Sequence, residues 1–191
     1  MSIVSRFLRP ESSGSRRAMS ETLVSIEPMR RRHIRDALLI EEQCYPKPWT
    51  AGVFASEIEL ARQGERHYVV ARSEHELIGY AGLMFTPDEA HITNIAVHPD
   101  FRRGGVGRLL LIRLIGTALE RGCEALTLEV RVSNTAAQSL YRAFGFAPAG
   151  IRQRYYENSE DALVMWAHDI QGPEFRRRFQ ELQGERVNPD V

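Results

Sequence analysis

Cysteine is scarce in this chain, and its scarcity excludes two ways in which small domains are held together. Only two of the 191 residues are cysteines, Cys44 and Cys123, and they do not form a CxxC pair. They supply neither a disulfide framework nor the thiolates of a structural zinc site, which suits a reducing cytoplasm. The histidines show no ligand spacing either, so no metal is expected. A chain of this length can fold as one domain without such links.

An excess of charge of one sign and a long apolar run are also missing. Lys and Arg together number 25, as do Asp and Glu, so the formal net charge is zero. This balance argues against bulk attraction to nucleic acid or to an anionic membrane. No apolar run approaches the roughly 20 residues of a membrane-spanning helix, and residues 1–10 lack the apolar core of a secretory signal. We therefore expect a cytoplasmic protein with no membrane partner and no required nucleic-acid contact.

The two ends of the chain differ in composition from its middle. Residues 1–20 are rich in Ser and Arg and have little to bury, which predicts a flexible extension, and Met19 offers an alternative start of translation. Residues 21–170 have the apolar patterning of one domain. In the tail, residues 171–191, three apolar side chains have helical spacing: Phe175, Phe179 and Leu182. We expect a tail that is partly helical at most and behaves as a solvated appendage.

The order of the predicted elements between the two ends indicates an α/β domain with a mixed sheet. Period-2 patterns predict strands over residues 22–26, 67–72, 77–85, 91–97, 125–132 and 162–167. Helical patterns are found over residues 31–44, 50–60, 105–120 and 134–144. Thr50 and Asn134 are the expected N-caps, and Gly122 is the expected stop after the third helix.

The centre of the chain contains a strand that runs through a basic, glycine-rich turn into a helix. Glycines let backbone N–H groups converge, and the start of a helix adds unpaired N–H donors and the positive end of its dipole. The turn is therefore a candidate site for a phosphate or pyrophosphate, with three arginines as counter-charge: Arg102, Arg103 and Arg108. The alternative is a tight turn with solvated arginines. The spacing matches neither a Walker A loop nor the dinucleotide GxGxxG.

The spacing Arg102-x-x-Gly105-x-Gly107 resembles the pyrophosphate loop of the GNAT acetyltransferases. This resemblance implies acetyl-CoA as co-substrate and a mostly antiparallel sheet with flanking helices and a central splay, where two strands separate. It also implies that the strand before the turn pairs with the pantetheine arm through its backbone. The implied coenzyme A contacts are Ile95, Ala96, Val97, Arg102, Arg103, Gly104, Gly105, Val106, Gly107 and Arg108.

A second strand and helix follow about 20 residues downstream. Alternation places Leu126, Leu128 and Val130 on one face of the strand, so Glu129 lies on the opposite face. Taken singly, Glu129 is a surface carboxylate, Asn134 a helix cap and Tyr141 a core residue.

Together these residues resemble the RimI subfamily, the ribosomal-protein alanine N-acetyltransferases. The resemblance covers residues 44–167 and rests on Leu-Glu-Val-Arg-x-Ser-Asn (128–134) and Leu-Tyr-x-x-x-Gly-Phe (140–146). It implies that Glu129 is the general base, Tyr141 the general acid and Asn134 a coenzyme A contact. It also implies that two segments flank the acceptor peptide and supply four aromatic candidates: Tyr45, Trp49, Tyr155 and Tyr156.

Transfer of an acyl group from a thioester to an amine needs a neutral amine and a protonated leaving thiolate. Freeing an α-amine of pKa near 8 at pH 7.4 costs roughly 0.8 kcal/mol, against roughly 4 kcal/mol for a lysine. One carboxylate such as Glu129 suffices for the first task. The implied acceptor is a protein N-terminus, with a small-subunit ribosomal protein as the natural target by resemblance. Two alternatives stay open, a GNAT that acetylates a small-molecule amine or a lysine, and a non-catalytic acyl-CoA-binding module. His91 and His98, at the ends of the cofactor strand, are interpreted as structural or surface residues.

Overall fold

A computed structural model of the chain describes residues 3–8, 21–74 and 76–184. The strands in these ranges are β1 (Ile3–Leu8), β2 (Glu21–Pro28), β3 (Arg66–Ser73), β4 (Glu76–Phe85), β5 (Glu89–Val97), β6 (Ala125–Arg131), β7 (Ala147–Tyr156) and β8 (Glu160–His168). The α-helices are α1 (Ile34–Cys44), α2 (Ala51–Gln63), α3 (Val106–Glu120), α4 (Thr135–Ala143) and α5 (Pro173–Gly184). None of these helices is long and apolar enough to cross a membrane.

The strands form one mixed sheet in the order β1-β2-β3-β4-β5-β6-β8-β7. The β5–β6 pair is parallel and the other pairs are antiparallel. The parallel register runs only from Glu89–Ala125 to Ile92–Leu128, after which β5 continues to Val97 and β6 to Arg131. A bulge in β5 after Ile92 bends the strand where the pairing with β6 ends. The predicted mixed, mostly antiparallel sheet with a central splay is confirmed.

Each face of the sheet is covered by its own set of helices. One face carries the larger core, to which α3 contributes most because its apolar side chains surround nearly the whole helix. The other face carries a smaller core, where α1 and α2 cover β3 and β4 through Ile40, Phe54 and Tyr80. Glu129 of β6 points to this second face, while Leu128 and Val130 on either side of it join the larger core.

Helix α5 corrects the interpretation of the C-terminal tail as a solvated appendage. Phe175 and Phe179 are buried in the larger core, 8% and 7% exposed. The Phe179 ring packs beside Gly116 of α3. The apolar stripe is visible in the sequence, but the three consecutive arginines of this segment favoured a solvated surface. Residues 185–191 lie outside the described residues.

The other differences from the predicted elements are at the N-terminus and in the outermost strand. Residues 3–8 form β1, paired with β2, where a flexible extension was expected; the rest of residues 1–20, including Met19, lies outside the described residues. The strand β7 was not predicted because it is exposed along most of its length and contains Pro148 and Gly150, so it shows no apolar alternation. The two predicted N-caps are confirmed, since Thr50 accepts from the Val53 N–H and Asn134 from the Ala137 N–H.

Candidate active site

The carboxylate of Glu129 lies where β5 and β6 separate. The predicted alternation along β6 is confirmed, because Leu126, Leu128 and Val130 join the larger core and Glu129 points to the other face. The Glu129 side chain is only 9% exposed. One oxygen, Oε2, lies 3.0 Å from His91 Nε2, and the other, Oε1, lies 3.2 Å from an Arg152 guanidinium nitrogen. The place where the two strands separate therefore contains a nearly buried carboxylate with two nitrogen partners.

His91 belongs to this site, which corrects its interpretation as a structural or surface residue. Its Nδ1 atom lies 2.6 Å from the Thr127 hydroxyl, on the residue opposite it in the parallel register. Burial lowers the pKa of His91, and Arg152 acts in the same direction while Glu129 opposes it. In a neutral imidazole, Nδ1 can accept from the Thr127 hydroxyl while Nε2 donates to Glu129, so both ring nitrogens have a partner. The contact could not be predicted from the sequence, because the register between two parallel strands is not visible in it.

Three tyrosine side chains from separate elements influence one another electrostatically, and one of them, Tyr156, contacts Glu129. The Tyr156 hydroxyl donates to the Glu129 backbone carbonyl over 3.1 Å. Burial raises the pKa of Tyr45, and the nearby Tyr141 and Tyr156 add to this rise. Burial likewise raises the pKa of Tyr141, and that of Tyr156 to about 12. Since Tyr141 belongs to the core of one face and Tyr45 to the loop on the other, the rings approach through the splay. All three hydroxyls are protonated at physiological pH.

The remaining two aromatic candidates are placed differently. The Trp49 ring packs edge-on against Phe54, with 5.4 Å between ring centroids, and is partly buried against the smaller core. Tyr155 is 49% exposed and contacts Tyr156 at 5.1 Å between ring centroids. Tyr45 and Tyr156 therefore lie at the splay, whereas Trp49 supports the loop and Tyr155 stands at the rim.

The glycine-rich turn leads from the end of β5 into α3. Gly105, with φ at 79°, is the residue before the first turn of α3, and Arg103 is also left-handed, with φ at 62°. A left-handed residue at this point turns the backbone N–H groups of the helix start outwards, which suits an anion. Ile95, Ala96 and Val97 lie on the part of β5 that has already separated from β6. The glycine-rich turn thus directly follows the part of β5 that has separated from β6.

Two of the three arginines assigned as counter-charge are already engaged. The Arg108 guanidinium donates to the Leu182 carbonyl of α5 over 2.7 Å and lies 5.8 Å from the centre of the Phe144 ring. It is bound to the C-terminal helix rather than held free over the turn. Arg102 donates to the Val97 carbonyl over 3.3 Å and contacts the Cys44 sulfur. Asn134 caps α4, and its contact with coenzyme A stays a prediction.

Residues 34–146 match the model of the Acetyltransferase (GNAT) family. The chain belongs to the GNAT family. This GNAT protein is an N-acetyltransferase, and its relatives narrow the subfamily. The ribosomal protein bS18-alanine N-acetyltransferase of Escherichia coli (strain K12) is 41% identical over 130 residues, which cover 66% of this chain and 84% of the relative. A Bacillus subtilis (strain 168) relative is 40% identical over 147 residues, 76% of this chain and 96% of its own length.

Solved structures agree with this assignment. The crystal structure of the ribosomal-protein-S18-alanine N-acetyltransferase from Escherichia coli superposes with a TM-score of 0.69 at 34% identity and covers 76% of this chain and 94% of its own. The yncA protein of Salmonella typhimurium, solved with its cofactor acetyl-CoA, superposes with a TM-score of 0.68 over 76% of this chain and 93% of its own. At 17% identity it shows the fold alone. The RimI resemblance is confirmed.

Proposed function

We propose that this GNAT acetyltransferase transfers the acetyl group of acetyl-CoA to the α-amine of a protein N-terminus that begins with alanine, as in a small-subunit ribosomal protein. The observation that carries the proposal is the placement of Glu129, nearly buried at the splay, with its carboxylate between His91 and Arg152 and the Tyr156 hydroxyl on its backbone carbonyl. Relatives that are about 40% identical bear the name of this activity.

The donor site consists of the glycine-rich turn and the open edge of β5. The N–H groups at the start of α3 are oriented for a pyrophosphate, and Arg103 adds positive charge beside them. The backbone of residues 95–97 offers hydrogen bonds to the amide groups of a pantetheine arm, which would compete with Tyr45 for the Ile95 carbonyl and with Arg102 for the Val97 carbonyl. The backbone N–H groups of the same segment are the candidates for binding the oxyanion. Bound acetyl-CoA supplies the activated acetyl group; the chain orients it.

Glu129 acts as the general base that removes a proton from the acceptor ammonium. His91 donates a hydrogen bond to Oε2, which holds the carboxylate in one orientation and leaves Oε1 toward the opening. The Oε1 atom is paired with Arg152, whose side chain is 58% exposed, so an incoming ammonium can take its place at little cost. Deprotonating an α-amine of pKa near 8 costs only roughly 0.8 kcal/mol at pH 7.4, so one carboxylate is a sufficient base.

Tyr141 supplies a proton to the departing thiolate. Burial raises the pKa of its hydroxyl, so the phenol is fully protonated before transfer. The same burial also raises the pKa of the leaving thiol, because charge is disfavoured for both groups in one apolar environment. Because burial acts on both groups, the difference between their pKa values stays close to the one in solution. Tyr141 also donates a hydrogen bond to the sulfur as charge develops there.

The first test is coenzyme A release from acetyl-CoA with three acceptors offered in parallel. They are a peptide with a free N-terminal alanine, the same peptide with a blocked N-terminus and an internal lysine, and a polyamine. We expect turnover with the first alone. Turnover with the lysine peptide or the polyamine instead would support an acetyltransferase and refute the proposed acceptor. No turnover with any of the three would favour a non-catalytic acyl-CoA-binding module.

A further inference from the structure

A second carboxylate, which the proposed reaction does not use, lies buried behind the tyrosines. Glu41 of α1 is 1% exposed. Its Oε2 atom accepts from the Trp49 backbone N–H over 2.7 Å, and its Oε1 atom accepts from the Asn94 side-chain amide over 3.3 Å and from the Tyr80 hydroxyl. These donors come from the loop between α1 and α2 (residues 45–50, the acceptor loop), from β5 and from β4. One carboxylate thus ties three elements together.

A carboxylate in this position carries a large desolvation cost. Burial raises the pKa of Glu41, while the hydrogen bonds from Trp49 and Asn94 act in the opposite direction. Among the residues that the structure describes, no Lys, Arg or His lies within ion-pair distance of Glu41. Neutral donors alone offset this cost, and an apolar residue in place of Glu41 would leave all three of them without their acceptor. The carboxylate therefore fixes the positions of the groups that donate to it.

The hydrogen bonds of Glu41 continue to the active site through Asn94. The Asn94 amide nitrogen donates to Glu41 and to the Tyr80 hydroxyl, which leaves its carbonyl oxygen to accept from the Tyr45 hydroxyl over 2.8 Å. These contacts are compatible with only one orientation of the Asn94 amide, with its nitrogen toward Glu41 and its oxygen toward Tyr45. Tyr45 is at the start of the acceptor loop and close to Tyr141 and Tyr156. Glu41 thereby fixes Tyr45 from two sides, through the loop backbone and through Asn94.

We propose that Glu41 is a positioning residue of the acceptor site, which holds the acceptor loop and the Tyr45 hydroxyl in the arrangement that receives the amine substrate. This inference rests on the proposed function for the identity of the acceptor. The network itself does not depend on which amine is bound. Glu41 contacts neither Glu129 nor the glycine-rich turn, so its effect belongs to acceptor binding rather than to the chemical step.

The kinetic test is Glu41→Gln, which keeps the shape of the side chain. A glutamine has one acceptor oxygen and a donor amide, so it cannot accept from all three partners. We expect KM for the alanine peptide to rise about tenfold, with kcat changed less than about threefold and acetyl-CoA affinity unchanged. The matched control is Glu57→Gln on α2, a carboxylate that accepts from Tyr68 and Arg66 on the same face of the sheet without touching the loop. Its KM should stay at the wild-type value.

A double-mutant cycle tests the path through Tyr45. If Glu41 acts by holding Tyr45, the effects of Glu41→Gln and Tyr45→Phe on KM should not multiply, and the double variant should resemble the more affected single variant. The combination of Glu57→Gln with Tyr45→Phe should show independent effects. Multiplicative effects in the first cycle would overturn the proposal. Should Glu41→Gln fail to fold, Tyr80→Phe removes one of the three donors more gently and is expected to raise KM in the same direction.

A fluorescence measurement decides the positioning role without any acceptor. The chain has two tryptophans, Trp49 and Trp166, so Trp166→Phe leaves Trp49 as the reporter of the acceptor loop. In that background Glu41→Gln should make Trp49 emission shift to the red and become easier to quench with acrylamide, and Glu57→Gln should not. Unchanged Trp49 emission would refute the role of Glu41 even if the enzyme acetylates N-termini. A silent wild-type enzyme in the three-acceptor assay would refute the proposed function and leave this result standing.

Discussion

Glu129 shares its carboxylate between a buried imidazole and a mostly exposed guanidinium. The His91 contact lies in a partly buried region of the sheet, where burial lowers the pKa of the imidazole. The Arg152 contact faces water and contributes at most about 1 kcal/mol. The two oxygens therefore differ in role, one held in place and one available to an incoming cation.

Replacing Glu129 by Gln removes the proposed base and allows the hydrogen bond from His91 to remain. At pH 7 we expect kcat/KM for the alanine peptide to fall by about 10²–10⁴. The loss should shrink above pH 8, where an α-amine of pKa near 8 loses its proton to water unaided. A pH profile of both enzymes from 6 to 9.5 measures this, and a loss of equal size at every pH would rule out the general-base role.

Tyr141→Phe removes one hydroxyl from a buried ring that packs against Phe146, so the fold should be kept. We expect kcat to fall by about 10–10³ while the affinity for acetyl-CoA changes less than twofold, because the proton is needed only when the thiolate leaves. Steady-state kinetics and titration calorimetry with coenzyme A measure the two effects. A large loss of affinity would instead make Tyr141 a binding residue. Tyr155→Phe, at the exposed rim, is the matched control.

At the residue scale the sequence predicts single side chains well where one strand or helix defines them. Alternation along β6 is enough to separate Glu129 from its apolar neighbours, and the cap at Asn134 follows from its position. His91 and Arg152 could not be found in this way, because each reaches Glu129 from another strand. Only the register of β5 on β6 and the path of β7 bring them there.

At the scale of elements, α5 shows what local pattern cannot provide. Its apolar stripe is two phenylalanines and a leucine among charged residues, and the surface that receives it is on α3, more than 50 residues earlier in the chain. The same holds for β7, an exposed edge strand whose pairing with β8 is interrupted twice. Helices with broad apolar faces and strands with regular alternation, such as α3 and β6, were predicted because their own residues determine burial.

Phe179→Ala tests whether α5 is part of the domain. The side chain is 7% exposed and packs beside Gly116, so we expect the free energy of unfolding to fall by about 3 kcal/mol. Urea unfolding followed by circular dichroism measures the change. Arg177→Ala, on the solvent side of the same helix, should lie within about 0.5 kcal/mol of wild type. If both variants were equally stable, α5 would not contribute to the core and the tail would be a solvated appendage.

At the scale of the whole molecule, the stability of the domain should depend on His67. This histidine of β3 contacts the Thr117 hydroxyl of α3. Burial lowers its pKa to about 4, with help from Arg113 and Arg121. An unfolded chain binds the proton near pH 6.5, so the unfolded state gains a proton first as pH falls. Stability from this group is complete above pH 6.5 and is lost between pH 6.5 and 4.

We therefore expect wild-type protein to lose about 2 kcal/mol more stability between pH 7 and pH 5 than His67→Gln does. Urea midpoints at the two pH values provide the comparison. Parallel pH dependence of wild type and His67→Gln would show that His67 is not the group that titrates.

The splay divides the sheet into two parts that share only four pairs of residues, from Glu89–Ala125 to Ile92–Leu128. Beyond them the edges of β5 and β6 face a gap instead of each other. A donor whose amide groups bind along β5 would complete the sheet there, as an additional strand made of substrate. Donor binding would then stabilise the folded domain against unfolding. The rigidity of the enzyme in a cell would follow the concentration of its own substrate, firm when acetyl-CoA is plentiful and looser when it runs low.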